Sequence, residues 1–325
     1  VESIDKARQS KISSLTLMSR EMEDQIRNLP AFAADLEKNY GANDSNPADV
    51  VFTGSGDSYA ASLFAHHLSR GLAHAADPSD LTQAPDVCRD RIVFITSVSG
   101  RTRANILLAK RIRRMARRRV AITANPLTPL AKECDDIVRL PYKRKETITP
   151  GTLSFTLSLL AVASRIGRLP SLTNLKSIQT RAHKWVRQLE SPNDGDFLFI
   201  GSGIGYALAA YGAFKIQEVL GEPAEYEHME QLGHSKLFSM RKADNLVCIA
   251  AGGDRKTAEV SRILAKNGFG THLLTSLARE PVIAGLEAAF SLQQLAGGLA
   301  EMRGLREVAF LTERKRLALS NRLIY

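Results

Sequence analysis

The sequence predicts an α/β fold: two three-layer α/β domains with parallel sheets, related by tandem duplication. Three observations carry this expectation. Short apolar runs alternate with segments of helical period along most of the chain. Val50-Val-Phe-Thr-Gly-Ser-Gly-Asp-Ser-Tyr59 returns as Phe197-Leu-Phe-Ile-Gly-Ser-Gly-Ile-Gly-Tyr206, with Gly54 and Gly201 in register 147 residues apart. Ile92-Val-Phe-Ile-Thr-Ser-Val-Ser-Gly-Arg101 returns in form as Leu246-Val-Cys-Ile-Ala-Ala-Gly-Gly-Asp-Arg255. A repeat of this length means two copies of one unit. Alternating strands and helices imply right-handed crossovers, with ligands bound at the carboxyl ends of the strands.

The elements follow in order. Met18, Met22, Ile26 and Leu29 form one apolar helical face, Pro30 interrupts it, and Phe32 to Tyr40 forms a second helical piece. The polar loop Gly41 to Pro47 is a boundary. Val50 opens a strand, a glycine turn and a helix carried by Ala60, Ala61, Leu63, Phe64 and Leu68. Residues 75–90 are polar and irregular, with room for a short strand. Ile92 to Ile95 reads as a buried parallel strand, followed by a helix on Leu108, Ile112 and Met115. Val120 and Asp136 open two further strands, with Pro126 and Pro129 breaking the chain between them. Residues 143–150 form a charged loop, and 153–166 a long apolar helix. An amphipathic helix surrounds Trp185. The second round has strands at Phe197, Leu246 and Thr271, helices over 256–268 and 285–303, and a basic tail from Leu305. The expected division is an N-terminal helical segment at 1–40, a first domain at 41–170, a linker helix at 171–190, and a second domain with its tail at 191–325.

Composition excludes several classes. The net charge of +10 suggests nucleic acid, but much of it sits in Lys110, Arg111, Arg113, Arg114, Arg117, Arg118 and Arg119. These are expected on the solvated face of the helix that carries Ile112 and Met115. No aromatic interleaving accompanies them, so no nucleic-acid partner is expected, although small anionic substrates would be attracted. No apolar stretch is long enough to cross a bilayer, and the N-terminus has no secretory pattern. Cys88, Cys134 and Cys248 are scattered and odd in number, which points to a reducing, cytoplasmic compartment. No zinc spacing is present, and neither a metal nor a cofactor is expected.

The two copies differ where ligands would bind. After its second strand the first copy has Ser97, Ser99 and Thr102 around Gly100; the second has Ala250, Ala251, Gly252 and Gly253. The first has Asp57-Ser58 where the second has Ile204-Gly205. A strand, a hydroxyl-rich turn and a helix N-terminus form an anion site, because free backbone N–H groups and short hydroxyls converge there. Multiple N-capping is the plainer account, but one cap needs one such residue, not three. One phosphate site is therefore expected, in the first half. A second constellation is Lys215 and Glu218, three apart on one helix face, with His234 in a loop-like stretch sixteen residues after Glu218. A surface ion pair and a solitary histidine are its plainer readings.

Both halves resemble the sugar isomerase (SIS) domain family of phosphosugar-binding proteins. The tandem arrangement is similar to the isomerase half of glucosamine-6-phosphate synthase and to free-standing archaeal glucosamine-6-phosphate deaminases. The resemblance implies that Ser97, Val98, Ser99 and Thr102, together with Gly56 and Ser58, hold a sugar phosphate. It implies that Lys215, Glu218 and His234 are catalytic, His234 coming from the neighbouring subunit of a homodimer. Glu146 and Thr152 would border the sugar. In chemical terms, Glu218 suits a mobile base between C1 and C2, His234 an acid for ring opening, and Lys215 a proton shuttle or enolate stabiliser. The expected activity is isomerising deamination of glucosamine 6-phosphate to fructose 6-phosphate and ammonia. Alternatives are an aldose–ketose isomerase, a synthase part using external ammonia, and a non-catalytic sugar-phosphate sensor. Two departures stand out: no glutaminase segment precedes the isomerase-like part, and the family's lysine near the C-terminus is absent, Lys315 and Arg322 being the nearest cations.

Overall fold

A computed structural model of the chain describes residues 12–40, 46–143, 148–189 and 194–325. Helix α1 (Ser14–Tyr40) is followed by β1 (Val50–Gly54), α2 (Asp57–Leu68), β2 (His74–Ala76), α3 (Pro78–Gln83), β3 (Ile92–Thr96), α4 (Arg103–Arg111), β4 (Arg118–Thr123), α5 (Pro129–Glu133), β5 (Asp136–Arg139), α6 (Leu153–Arg165) and α7 (Leu175–Arg187). Then come β6 (Phe197–Gly201), α8 (Ile204–Leu220), β7 (Ala224–His228), α9 (Met229–Leu232), β8 (Asn245–Ala250), α10 (Arg255–Lys266), β9 (Gly270–Thr275), α11 (Pro281–Met302), α12 (Ala309–Thr312) and α13 (Arg314–Ile324).

The strands form two parallel sheets, ordered β2-β1-β3-β4-β5 and β7-β6-β8-β9. Alternate side chains divide each sheet between two cores, as the two-residue period of a strand requires. Phe52, Phe94, Phe197, Phe199 and Val247 join α2, α6, α8 and α11 in one continuous core shared by both sheets. The opposite face of the first sheet, through Val51, Val93, Ile95 and Ala121, meets Leu108 and Leu130. That of the second, through Leu198, Ile200 and Cys248, meets Met229 and Leu264. Each large apolar side chain buried here contributes about 1.5–3 kcal/mol relative to exposure.

Several expectations are corrected. Pro30 does not divide the first helix; α1 runs through it as one element. Met18, Leu29, Phe32 and Leu36 are all buried along it, so tertiary packing outweighs the hydrogen bond that a proline cannot donate. The basic stretch is not one helix. α4 ends at Arg111, Arg113, Arg114 and Arg117 lie in turns, and Arg118 and Arg119 open β4. There Arg118 pairs with Asp136, and the buried Arg119 holds Asp135 at 2.6 Å. The stretch around Glu225 and Glu227, not assigned from the sequence, forms the edge strand β7. Charged residues on an edge suppress pairing with other chains and erase the apolar pattern that would have revealed the strand. The basic tail carries the helices α12 and α13.

Gly54 pairs with Thr96 and Gly201 with Ile249, so Ile92 corresponds to Asn245 and not to Leu246. Counted from the paired positions Thr96 and Ile249, the path to α10 is one residue shorter than the path to α4, along which the hydroxyls cluster.

Candidate functional site

A cavity of about 650 Å³ opens at the carboxyl ends of β1 and β3. Its wall is built from the turn after β1 (Ser55–Ser58), the turn after β3 (Ser97–Thr102), the loop before α6, and Glu218 of α8. No helix among the described residues is long and apolar enough to cross a membrane.

The turn after β3 owes its shape to glycine. Gly100 has φ +62°, and a Cβ there would stand 2.1 Å from Thr128 Oγ1. The hydroxyls divide the local work. Ser97 Oγ accepts Gly100 N–H at 3.2 Å, and Ser99 Oγ accepts Arg101 N–H at 3.3 Å. Thr102 is the N-cap of α4, yet its side chain makes no capping hydrogen bond. Its hydroxyl lies 3.3 Å from Ser97 Oγ. Multiple capping therefore does not account for the three hydroxyls. Gly56, with φ +59° and no side-chain cap, likewise begins α2 with its amides free of a capping side chain. Two helix starts thus border one cavity, and the guanidinium-bearing Arg101 lines it as well. This end is suited to an anion.

A charged cluster lines or backs the same cavity. Lys215 is fully buried, bonds Asp57 Oδ2 at 2.8 Å and also pairs with Glu218. Asp57 starts α2 and Lys215 is near the end of α8; these helices pack against each other, so the bond links the two halves. Burial is the largest influence on Asp57 and pushes its carboxyl up to about 7; Lys215 pulls it back and Glu218 adds to the rise. Burial acts to lower the Lys215 pKa, but the two carboxylates more than offset it and the net shift is upward. Two carboxylates sharing one ammonium in a partly dry site keep the lysine charged and make the second negative charge costly. That arrangement can hold and move a proton near neutral pH. Asp57 Oδ1 is buried without a hydrogen-bond partner.

The surrounding shell is rigid. Tyr211 stacks on Phe155 with centroids 3.6 Å apart, donates its hydroxyl to the Gly151 carbonyl at 2.7 Å, and lies under the Lys215 ammonium. A Cβ at Gly151 would stand 2.1 Å from Asp57 Oδ2, so glycine leaves room for that carboxylate. The buried Glu21 of α1 accepts from Tyr142 and Thr149 at 3.0 Å and from Thr152 at 2.9 Å, anchoring both ends of the loop that lines the cavity.

The expected residues are distributed unevenly. Gly56, Ser58, Ser97, Val98, Ser99, Thr102 and Glu218 line the cavity, and Lys215 backs it. Thr152 is a correction: it is wholly buried with its hydroxyl on Glu21, so it braces the loop from behind. Glu146 lies outside the described residues. His234 is exposed beside Glu230, 3.9 Å away, and is not among the residues that line the cavity within this protomer. Lys315 and Arg322 do not line it either; Leu323, Ile324 and Tyr325 at the end of α13 do. Asp57 and Glu21 were not singled out from the sequence. The contrast of Asp57 with Ile204 between the two rounds was a usable signal for the first; nothing in the pattern of α1 marked Glu21.

The opposite end of the α2–α8 pair is aromatic. There His67 faces Tyr206 and His228, and Tyr206 stacks on His228 at 3.4 Å. Burial, with help from His66 and His228, lowers His67 to about 4, so it is neutral at ordinary pH.

Residues 45–165, which hold the first sheet, match the model of the SIS domain family. The isomerizing glutamine–fructose-6-phosphate aminotransferase of Pyrococcus horikoshii is 24% identical over 245 residues, 68% of this chain. The chain spans about two-fifths, 41%, of that relative's length. The crystal structure of glucosamine-6-phosphate deaminase from Thermotoga maritima superposes with a TM-score of 0.70 at 20% identity, covering 89% of this chain and 95% of that one. Tagatose-6-phosphate ketose/aldose isomerase from Escherichia coli gives 0.68 at 17% identity, covering 89% and 94%. Both likenesses span both sheets and establish the shared fold.

Proposed function

We propose that this SIS-domain chain is a phosphosugar enzyme that deaminates and isomerises an amino-hexose 6-phosphate, with glucosamine 6-phosphate as the preferred substrate. The observation that carries the proposal is the juxtaposition in one cavity of an uncapped hydroxyl turn and a buried Asp57–Lys215–Glu218 cluster. Sheet 6–9 and its helices are read as a second copy of the same domain, which lends Lys215 and Glu218 to the first copy's phosphate site.

Ser97, Ser99, Thr102, Ser58 and the amides around Gly56 and Val98 anchor the phosphate, remote from the reacting carbons, so its binding energy orients C1 and C2. Glu218 takes the C2 proton from the open-chain sugar and returns it to C1. The C2 imine so formed takes up one water and releases ammonia, leaving the ketose. Lys215 stabilises the charge that develops on oxygen while the proton is in transit. His234, exposed on the protomer surface, is offered to the site of a partner in a homodimer, where it opens the sugar ring.

A second reading, aldose–ketose isomerisation of a neutral hexose phosphate, uses the same base and draws on the likeness to the ketose/aldose isomerase. Incubation with glucosamine 6-phosphate, assaying ammonia and fructose 6-phosphate together, separates them. Release of both supports the deaminase. Release of neither, with turnover of a hexose phosphate, selects the isomerase. Binding of both sugars without turnover selects a sensor. Glu218→Gln should lower kcat by roughly 10²–10⁴-fold if it is the base; full activity in that variant removes it from the role.

A further inference from the structure

Among the described residues, the charges that meet the cavity do not balance. Asp57 and Glu218 line it, and both pair with the single ammonium of Lys215. The other charged group on the wall, Arg101, stands in the hydroxyl turn where an anion would sit. Among the described residues the wall therefore carries one carboxyl group more than Lys215 can neutralise. Lys215 has an intrahelical partner in Glu218, three residues along α8, so it does not need Asp57 to be neutralised. Asp57 nonetheless arrives from the other half of the chain, and it has an oxygen to spare: Oδ1 is buried with no hydrogen-bond donor. A buried carboxylate oxygen without a donor is costly and calls for one.

The surroundings are shaped for that carboxylate. Gly151 approaches so closely that any side chain there would collide with Asp57 Oδ2. The stacked Tyr211–Phe155 pair and the Tyr211 hydrogen bond to the Gly151 carbonyl fix this approach. At the start of α8, the corresponding helix of the second sheet, the residue at this position is the apolar Ile204. The carboxylate is thus peculiar to the one helix start that faces the hydroxyl turn.

We infer that Asp57 selects the substrate's amine: its carboxylate receives the ammonium group of an amino-sugar phosphate whose phosphate lies in the Ser97–Thr102 turn. A ligand with an anion at one end and a cation along its chain balances the cavity; a neutral sugar phosphate leaves the surplus charge unmet. This rests on the phosphosugar reading above and adds to it the residue that distinguishes amino sugars from their hydroxyl counterparts.

Calorimetric titration of the full chain with 2-amino-2-deoxyglucitol 6-phosphate and with glucitol 6-phosphate tests it, because the two differ only in the C2 substituent. The wild-type protein is expected to bind the amine at least about tenfold tighter, since a charge-assisted bond to a buried group is worth about 1.5–3 kcal/mol. Asp57→Asn keeps the shape and should bring the two affinities within about twofold of each other. Equal binding by the wild type overturns the inference and leaves the phosphosugar reading intact. A tenfold preference that survives in Asp57→Asn also overturns it, by assigning the amine to another group. Binding of neither ligand overturns both. The wild-type comparison stands by itself should Asp57→Asn fail to fold.

Discussion

Replacing Lys215 with methionine tests the buried cluster most directly. Methionine keeps the length and apolar stem of the lysine and removes only the ammonium. Asp57 and Glu218 then share one site with no cation between them. Breaking a buried pair by removing one partner costs about 3–5 kcal/mol. Here the Asp57 and Glu218 side chains are 19% and 38% exposed, so cavity water screens part of the repulsion. We expect a loss of about 2–3 kcal/mol at pH 8. The sign of its pH dependence follows from linkage. Without Lys215 the Asp57 carboxyl, already raised by burial, binds its proton more tightly still in the folded state than in the unfolded chain. The folded variant then holds protons that the unfolded chain releases above about pH 4. Its stability falls as pH rises, by up to about 1.4 kcal/mol per pH unit for each proton retained. Wild type shares a milder form of this slope through Asp57, whose carboxyl is raised to about 7. Urea unfolding of both proteins at pH 5, 6.5 and 8 measures the difference, which should be small at pH 5 and largest at pH 8. A deficit that is the same at all three values refutes the account, as does a variant as stable as wild type at pH 8.

Three further outcomes are expected. Gly100→Ala forces a side chain into a left-handed backbone and against Thr128 Oγ1, so it should cost at least about 1–2 kcal/mol of stability and weaken sugar-phosphate binding, measured by thermal melting and calorimetry. Thr102→Val removes a hydroxyl that makes no capping bond, so melting should change little while affinity for fructose 6-phosphate falls about tenfold or more; loss of stability without loss of affinity would return Thr102 to a structural role. Asp57→Asn should flatten the decline of stability between about pH 4 and 7, because the proton that the folded Asp57 retains in that window is no longer exchanged; an unchanged slope would place the titration elsewhere.

How much of this was legible beforehand depended on the kind of interaction involved. β1, β3, β6 and β8 are buried on both faces, so their apolar runs appear directly in the chain. The edge strands β2 and β7 bury only part of their surface, and their polar residues concealed them. The end of α4 was hidden because Arg118 and Arg119 are ordinary helix formers; their partners Asp136 and Asp135 lie at the first residue of β5 and just before it.

The hydroxyl turn is a local feature, made of residues within six positions of one another, and the chain by itself determined it. Periodicity likewise determined the parallel sheets, whose carboxyl ends at β1 and β3 border the cavity. Tertiary structure alone decided what that turn faces. Asp57 and Lys215 are 158 residues apart and meet because α2 and α8 pack together, bringing the start of α2 beside the last turns of α8. Glu21 braces Thr152 across 131 residues. Local propensity carries no record of such distant encounters, because the free energy that selects them comes from burying charge beside charge once the core has closed.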